Sequence, residues 1–129
     1  MSKLIILFLC SFISLWSVET YSYEEALVLQ KKNHKIIMFD VVRSQCHYCI
    51  KMQKEVFDDK IMSKWLEKRF IIVENNLDFD DLPFEVSIPM TPTFIFRNEN
   101  QKTVKIIHGS WNIQDFKDLT QNINKRLIR

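Results

Sequence analysis

The chain has 129 residues, enough for one domain and too few for two. Hydrophobic residues make up 47% and charged residues 26%, which excludes a disordered polar chain, and a formal charge of +2 is too even for bulk attraction to nucleic acid. Three cysteines exclude a disulfide-dense scaffold, and a single glycine, Gly109, excludes glycine-rich phosphate loops.

Lys3 precedes a 13-residue apolar run, 4–16, too short to cross a bilayer comfortably and suited to the core of a signal peptide. Thr20 and Ser22 offer small side chains at alternate positions, which predicts a leader over 1–22 and a domain over 23–129. Ser17 is a second candidate cleavage position, and an uncleaved anchor stays open. Cys10 reads as one more apolar residue of the leader. The remainder holds no second long apolar run. It has two cysteines, Cys46 and Cys49, and a compartment outside the cytosol directs attention to redox chemistry.

Residues 23–32 read as a helix with Glu24 and Glu25 in the first turn, broken at Asn33-His34. The run 35–42 is apolar and β-branched enough for a central strand covered on both faces. From Cys46 a helix is expected to reach Phe57, with Ile50, Met52, Val56 and Phe57 on its apolar side. Asp58 is the expected cap of a further helix carrying Ile61, Met62, Trp65 and Leu66. A second buried strand covers 70–73. The acidic stretch 75–90, with Pro83 and Pro89, reads as loop with at most a turn of helix. Strands over 93–96 and 103–108 make a hairpin. Asn112 then caps a last helix whose apolar face is Ile113, Phe116, Leu119, Ile123 and Leu127.

Cys46-His47-Tyr48-Cys49 falls at the junction of loop and helix. A helix start presents unpaired N–H groups, which stabilise a thiolate, and the thiolate is the nucleophile. On this reading Cys46 is exposed at the helix start and Cys49 lies half covered one turn on. An imidazolium at His47 would lower the thiol pKa further and make the disulfide more oxidising. Two other readings use the same cysteines. A zinc or copper module would need further ligands from His34, His47 or His108, at spacings that match no standard finger. A purely structural disulfide would need no chemistry at all. His34 and His108 read as solvated, and no residue is assigned as a metal ligand.

Several motifs in order resemble the thioredoxin superfamily, in particular exported thioredoxin-like oxidoreductases of the bacterial envelope, the SoxW-like and Dsb-type group. The resemblance spans most of 24–128. It rests on Ile36-Ile37-Met38-Phe39-Asp40 as the central strand and Cys46-His47-Tyr48-Cys49 with Ile50-Lys51-Met52 as the active-site helix. It rests also on Glu55-Val56-Phe57, on Met90-Thr91-Pro92-Thr93-Phe94 as the proline loop, and on 104–109 as the last strand and its glycine. It implies an α/β thioredoxin-like fold, a mixed sheet of about four strands flanked by helices. Cys46 would attack a substrate disulfide and Cys49 would resolve the mixed disulfide. Pro92 would be cis and lie against the pair, and Thr91 would offer backbone groups to an extended substrate. Asp40, six positions before Cys46, would be a buried acid accepting the Cys49 proton; the residues alone leave open a strand-end Asp that points to solvent.

The resemblance further implies protein thiol or disulfide substrates, a membrane thiol donor, a periplasmic setting, and no cofactor beyond the redox-active cysteines; the lack of a long apolar extension or heptad seam predicts a monomer. The resemblance leaves open an oxidase that donates its disulfide. The chain departs from the family at several points. His47-Tyr48 is neither Gly-Pro nor Pro-His, and no Trp precedes Cys46. Glu74-Asn75-Asn76 stands where a lysine near the buried acid is common.

Overall fold

The computed structural model describes residues 16–124. Its elements run α1 (Tyr23–Asn33), β1 (Ile36–Val42), α2 (His47–Met52), a π-helical turn (Gln53–Phe57), α3 (Lys60–Arg69), β2 (Phe70–Asn76), β3 (Thr93–Arg97), β4 (Thr103–His108) and α4 (Ile113–Thr120). This is the element order expected from the sequence. The four strands form one sheet in the order β2-β1-β3-β4, with β1 parallel to β2 and antiparallel to β3, and β3 antiparallel to β4.

Strand alternation divides the apolar residues of β1 between two cores. Ile36 and Met38 face a cluster with Met52, Phe57, Leu66, Phe94 and Phe116. Phe57, Phe94 and Phe116 meet edge-on, with ring centroids 4.9–6.1 Å apart, an arrangement worth about 0.5–1.5 kcal/mol per pair beyond burial. Ile37, Phe39 and Val41 face the other way, against Ala26, Ile71, Val73 and Ile95. Asp40 shares the parity of Ile36 and Met38, so its carboxyl points to the side on which α2 lies.

Several local features differ from the expectation. The helix after Cys46 loses its α winding at Gln53: Asp58 N donates to Gln53 O, five residues back, at 2.8 Å. Asp58 therefore closes the π turn, and the cap of α3 is Asp59, whose Oδ1 accepts from Met62 N at 2.8 Å. Ile50 is exposed rather than part of the apolar side, which is left to Met52, Val56 and Phe57. Strand β2 continues past Val73 through the polar Glu74-Asn75-Asn76, because ladder hydrogen bonding to Asp40, Val41 and Val42 does not depend on side-chain polarity. Beyond it, 77–92 holds turns and bends but no helix. Helix α4 ends at Thr120, yet Ile123 in the following turn stays buried; Leu127 and Cys10 lie outside the described residues.

Residues 17–22 pack against the domain. Val18 is buried in the helix-side core and its N–H donates to Phe57 O at 3.1 Å. Tyr21 N–H donates to Ile72 O at 2.9 Å. Ser22 caps α1 in a capping box with Glu25, its Oγ accepting from Glu25 N while Glu25 Oε2 accepts from Ser22 N. Among the described residues no helix is long and apolar enough to cross a membrane.

Candidate active site

The backbone places Cys46 as the N-cap of α2, in extended conformation, and Cys49 one turn along. The preceding Gln45 takes a left-handed φ of 57°, which turns the chain from β1 into the helix. The two cysteines are joined as a disulfide with their Cα atoms 5.2 Å apart. Cys46 is half-buried rather than exposed, because the proline loop lies over it.

Three groups surround the Cys46 sulfur. Cys49 N–H donates to it at 3.2 Å and the Thr91 hydroxyl donates to it at 3.3 Å. The Thr91 carbonyl oxygen stands 3.6 Å away, where it would accept from a thiol. The two donors favour a sulfur that carries negative charge, and hydrogen bonds to an ionised acceptor are roughly twice as strong as neutral ones. The sequence reading gave Thr91 a backbone role only. Its hydroxyl contact was not legible because it depends on how the loop docks.

The Thr91–Pro92 peptide bond is cis. Pro92 is buried, and its carbonyl accepts from Gly109 N–H at 2.8 Å. Gly109 takes φ +84°, a conformation that side-chain-bearing residues rarely adopt, so the sole glycine falls where the last strand must turn toward this loop. A second tie runs through side chains. Thr93 Oγ1 donates its one proton to Met90 O at 2.7 Å, so the 3.0 Å contact with His108 uses Nδ1–H of the imidazole as donor. His108 is exposed at the end of β4, as expected, and in addition braces the proline loop. His34 caps the end of α1 in left-handed conformation and meets Glu99 at 2.9 Å, so it too has a structural task.

His47 and Tyr48 are both exposed, with their rings edge-on 5.4 Å apart. Trp111 is partly exposed, its ring fixed by Nε1–H donating to His108 O at 2.9 Å. Its backbone N–H lies 3.4 Å from the Met52 sulfur. Met90 and Tyr48 also present apolar surface to solvent.

Asp40 lies at the bottom of a cavity of about 390 Å³ that Cys49 also lines. The residue is 4% exposed and its Oδ1 has no hydrogen-bond partner. Burial, and then the nearby carboxylate of Glu74, push its pKa up to about 8. The sequence placed Asp40 in an apolar strand; the structure supplies the direction of the side chain and the cavity it shares with Cys49. Among the described residues no group of three or more His, Cys, Asp or Glu is gathered as a metal site.

A four-stranded mixed sheet, helices on both faces, and a C-x-x-C disulfide at a helix start define a thioredoxin-like redox protein. The model of the thioredoxin-like domain family matches residues 23–124, and the chain belongs to that family, as a thiol–disulfide oxidoreductase. Among solved structures it is similar to the oxidoreductase DsbH, at 19% identity over 84% of this chain and 85% of that one, with a TM-score of 0.68. A thioredoxin from Thermus thermophilus is 25% identical over 84% of this chain and 88% of that chain, TM-score 0.67. The C-terminal domain of DsbD from Neisseria meningitidis, in its oxidised form, is 13% identical over 81% and 98%, TM-score 0.62. No curated protein matches the chain.

Proposed function

We propose that this protein is an exported, monomeric oxidoreductase that reduces or reshuffles disulfides of other proteins and is itself kept reduced by a membrane thiol donor. The observation that carries the reading is the Cys46 sulfur, held at a helix start between the Cys49 amide and the Thr91 hydroxyl. In the reduced protein the Cys46 thiolate attacks a client disulfide. One client sulfur leaves as thiolate and Cys46 is left in a mixed disulfide. Cys49 then gives its proton to the Asp40 carboxylate and attacks Cys46 Sγ. The Cys46–client bond breaks, the client departs as its second thiolate, and the Cys46–Cys49 disulfide forms. Two electrons pass to the client; the membrane donor returns them by the reverse sequence. Pro92 and Thr91 offer backbone to an extended client segment, while Tyr48, Met90 and Trp111 give it apolar surface.

The test is client trapping in the native host with Cys49→Ala, which lacks the resolving sulfur. Proteins linked through Cys46 are expected, and all should be lost when Cys46→Ser is added. An absence of adducts in an exported fraction would overturn the reading. The reduction potential sets the direction. A value near about −270 mV supports the reductase, and one near about −120 mV makes the protein a disulfide donor. Stoichiometric zinc or copper binding by the reduced protein, lost with His47→Ala, would instead support a metal module.

Of the two candidate cuts, the packing of 18–22 favours the one after Ser17 over the one after Ser22. A chain beginning at Val18 keeps the Val18, Tyr21 and Ser22 contacts; one beginning at Tyr23 loses them. Loss of the cap costs about 1 kcal/mol and of the buried valine about 1.5 kcal/mol or more. The Tyr23 chain should therefore unfold at clearly lower denaturant than the Val18 chain. N-terminal sequencing of the exported protein decides the cut: Val18 is the expected first residue, and Tyr23 would refute it.

A further inference from the structure

Asp40 and Glu74 are direct partners in the parallel β1–β2 ladder. Phe70 and Ile72 belong to the helix-side core, so Glu74, two residues further, points to that same side, as Asp40 does. Both line the cavity that Cys49 lines. The partner of Asp40 on the other flank, β3, is Phe94, whose side chain offers neither charge nor a hydrogen-bonding group. Four charged residues line that cavity with Asp40. Glu74 comes from β2, Lys54 and Asp58 from the π turn and its end, and Arg43 from the loop after β1. Arg43 is engaged by Asp78 at 3.3 Å, and Asp58 accepts from Gln53 Nε2 at 2.8 Å. Lys54 and Glu74 remain as opposed charges at the rim of one cavity, with Glu74 in the ladder position next to the acid.

We propose that Glu74 is a positioning residue for disulfide exchange: its carboxylate, held beside Asp40 on the face where Cys49 lies, decides by like-charge repulsion when Asp40 is free to take the Cys49 proton. The inference rests on Asp40 acting as the acceptor in the resolving step. Its chemical content is specific to this chain. An ionised Glu74 discourages a second negative charge next to it, so Asp40 stays neutral to higher pH than burial alone requires. At neutral pH the acid then holds a proton ready for Cys49 when Cys49 leaves as thiolate. The resolving step, which needs the anion, speeds up as pH rises.

The experiment loads Cys46 of the reduced protein with a small chromogenic aromatic thiol as a mixed disulfide. It follows release by Cys49 from pH 5 to 10, with the Asp40 carboxyl titrated in parallel by carbon NMR. Glu74→Gln should lower the midpoint of both curves by about half a pH unit, and Glu74→Lys by about one unit. Agreement of both curves supports the proposal. It is overturned if Glu74→Gln leaves the Asp40 titration and the release midpoint within about a tenth of a unit of the parent. Asp40→Asn separates the two levels. If it leaves the profile unchanged, Asp40 is not the acceptor, and both ideas fail; if it flattens the profile while Glu74→Gln shifts nothing, only the role of Glu74 fails.

Discussion

The sulfur of Cys46 and the carboxyl of Asp40 flank the same redox pair, and the fold treats a negative charge on them in opposite ways. Cys46 Sγ meets two donors, one from the helix start and one from Thr91. Asp40 Oδ1 meets none, and its ladder partner is another acid. The contrast teaches that the site is organised by where it welcomes a charge and where it refuses one. The welcomed charge is that of a Cys46 thiolate. The refused one makes a carboxyl that keeps its proton near neutral pH, in the cavity that Cys49 also lines.

Removing the refused charge should give the largest effect. Asp40 binds a proton in the folded chain up to about pH 8, while the unfolded chain releases it near 3.8. Between those values the folded state holds more protons, so the stability contribution is full below about pH 4 and is lost as pH rises through 8. Asp40→Asn removes that dependence. At pH 7 it should stabilise the oxidised protein by up to about 4 kcal/mol, at 1.36 kcal/mol per unit, and slow the resolving step. Urea unfolding at pH 5, 7 and 9 checks this; a parent whose stability does not fall over that range would break the contrast.

Thr91→Val acts on the welcoming side. It keeps the shape of the side chain and deletes the hydroxyl donor. A hydrogen bond to a charged group contributes about 1.5–3 kcal/mol when fully formed, less where the sulfur is half-buried. The Cys46 thiol pKa should rise by about one unit, read from the pH dependence of alkylation of the reduced protein. His47→Ala should do the least. The imidazole is exposed, and the expected rise is a few tenths of a unit. A rise as large as that of Thr91→Val would mean that His47, not the proline loop, governs the sulfur.

The sheet was legible in the sequence because three of its four strands hold nearly unbroken apolar runs: Ile36 to Val42, Phe70 to Val73 and Thr93 to Phe96. The cysteine pair was legible by its spacing and Asp40 by its contrast with its neighbours. Glu74 was legible only as a departure from the family, at a position where a lysine near the buried acid is common; the register with β1 makes it the direct ladder partner of Asp40. The brace from His108 through Thr93 to Met90 was hidden: it joins residues 15 and 3 positions apart that no short motif links. The burial of Val18 escaped notice because the residue follows directly on an apolar leader pattern, where hydrophobicity already has an explanation.

The π turn at Gln53–Phe57 has a bearing on any attempt to redesign this protein. A wide turn carries one residue more than regular winding would use, and each residue rotates a helix by about 100°. That surplus lets Met52 touch the backbone of Trp111 while Val56 and Phe57 still point into the aromatic cluster. Deleting one residue there would make the helix ideal on paper and swing one end out of phase with the other. An idealised graft from a relative would repeat the fault, so the irregular coil acts as a gearing between the redox end of the molecule and its interior.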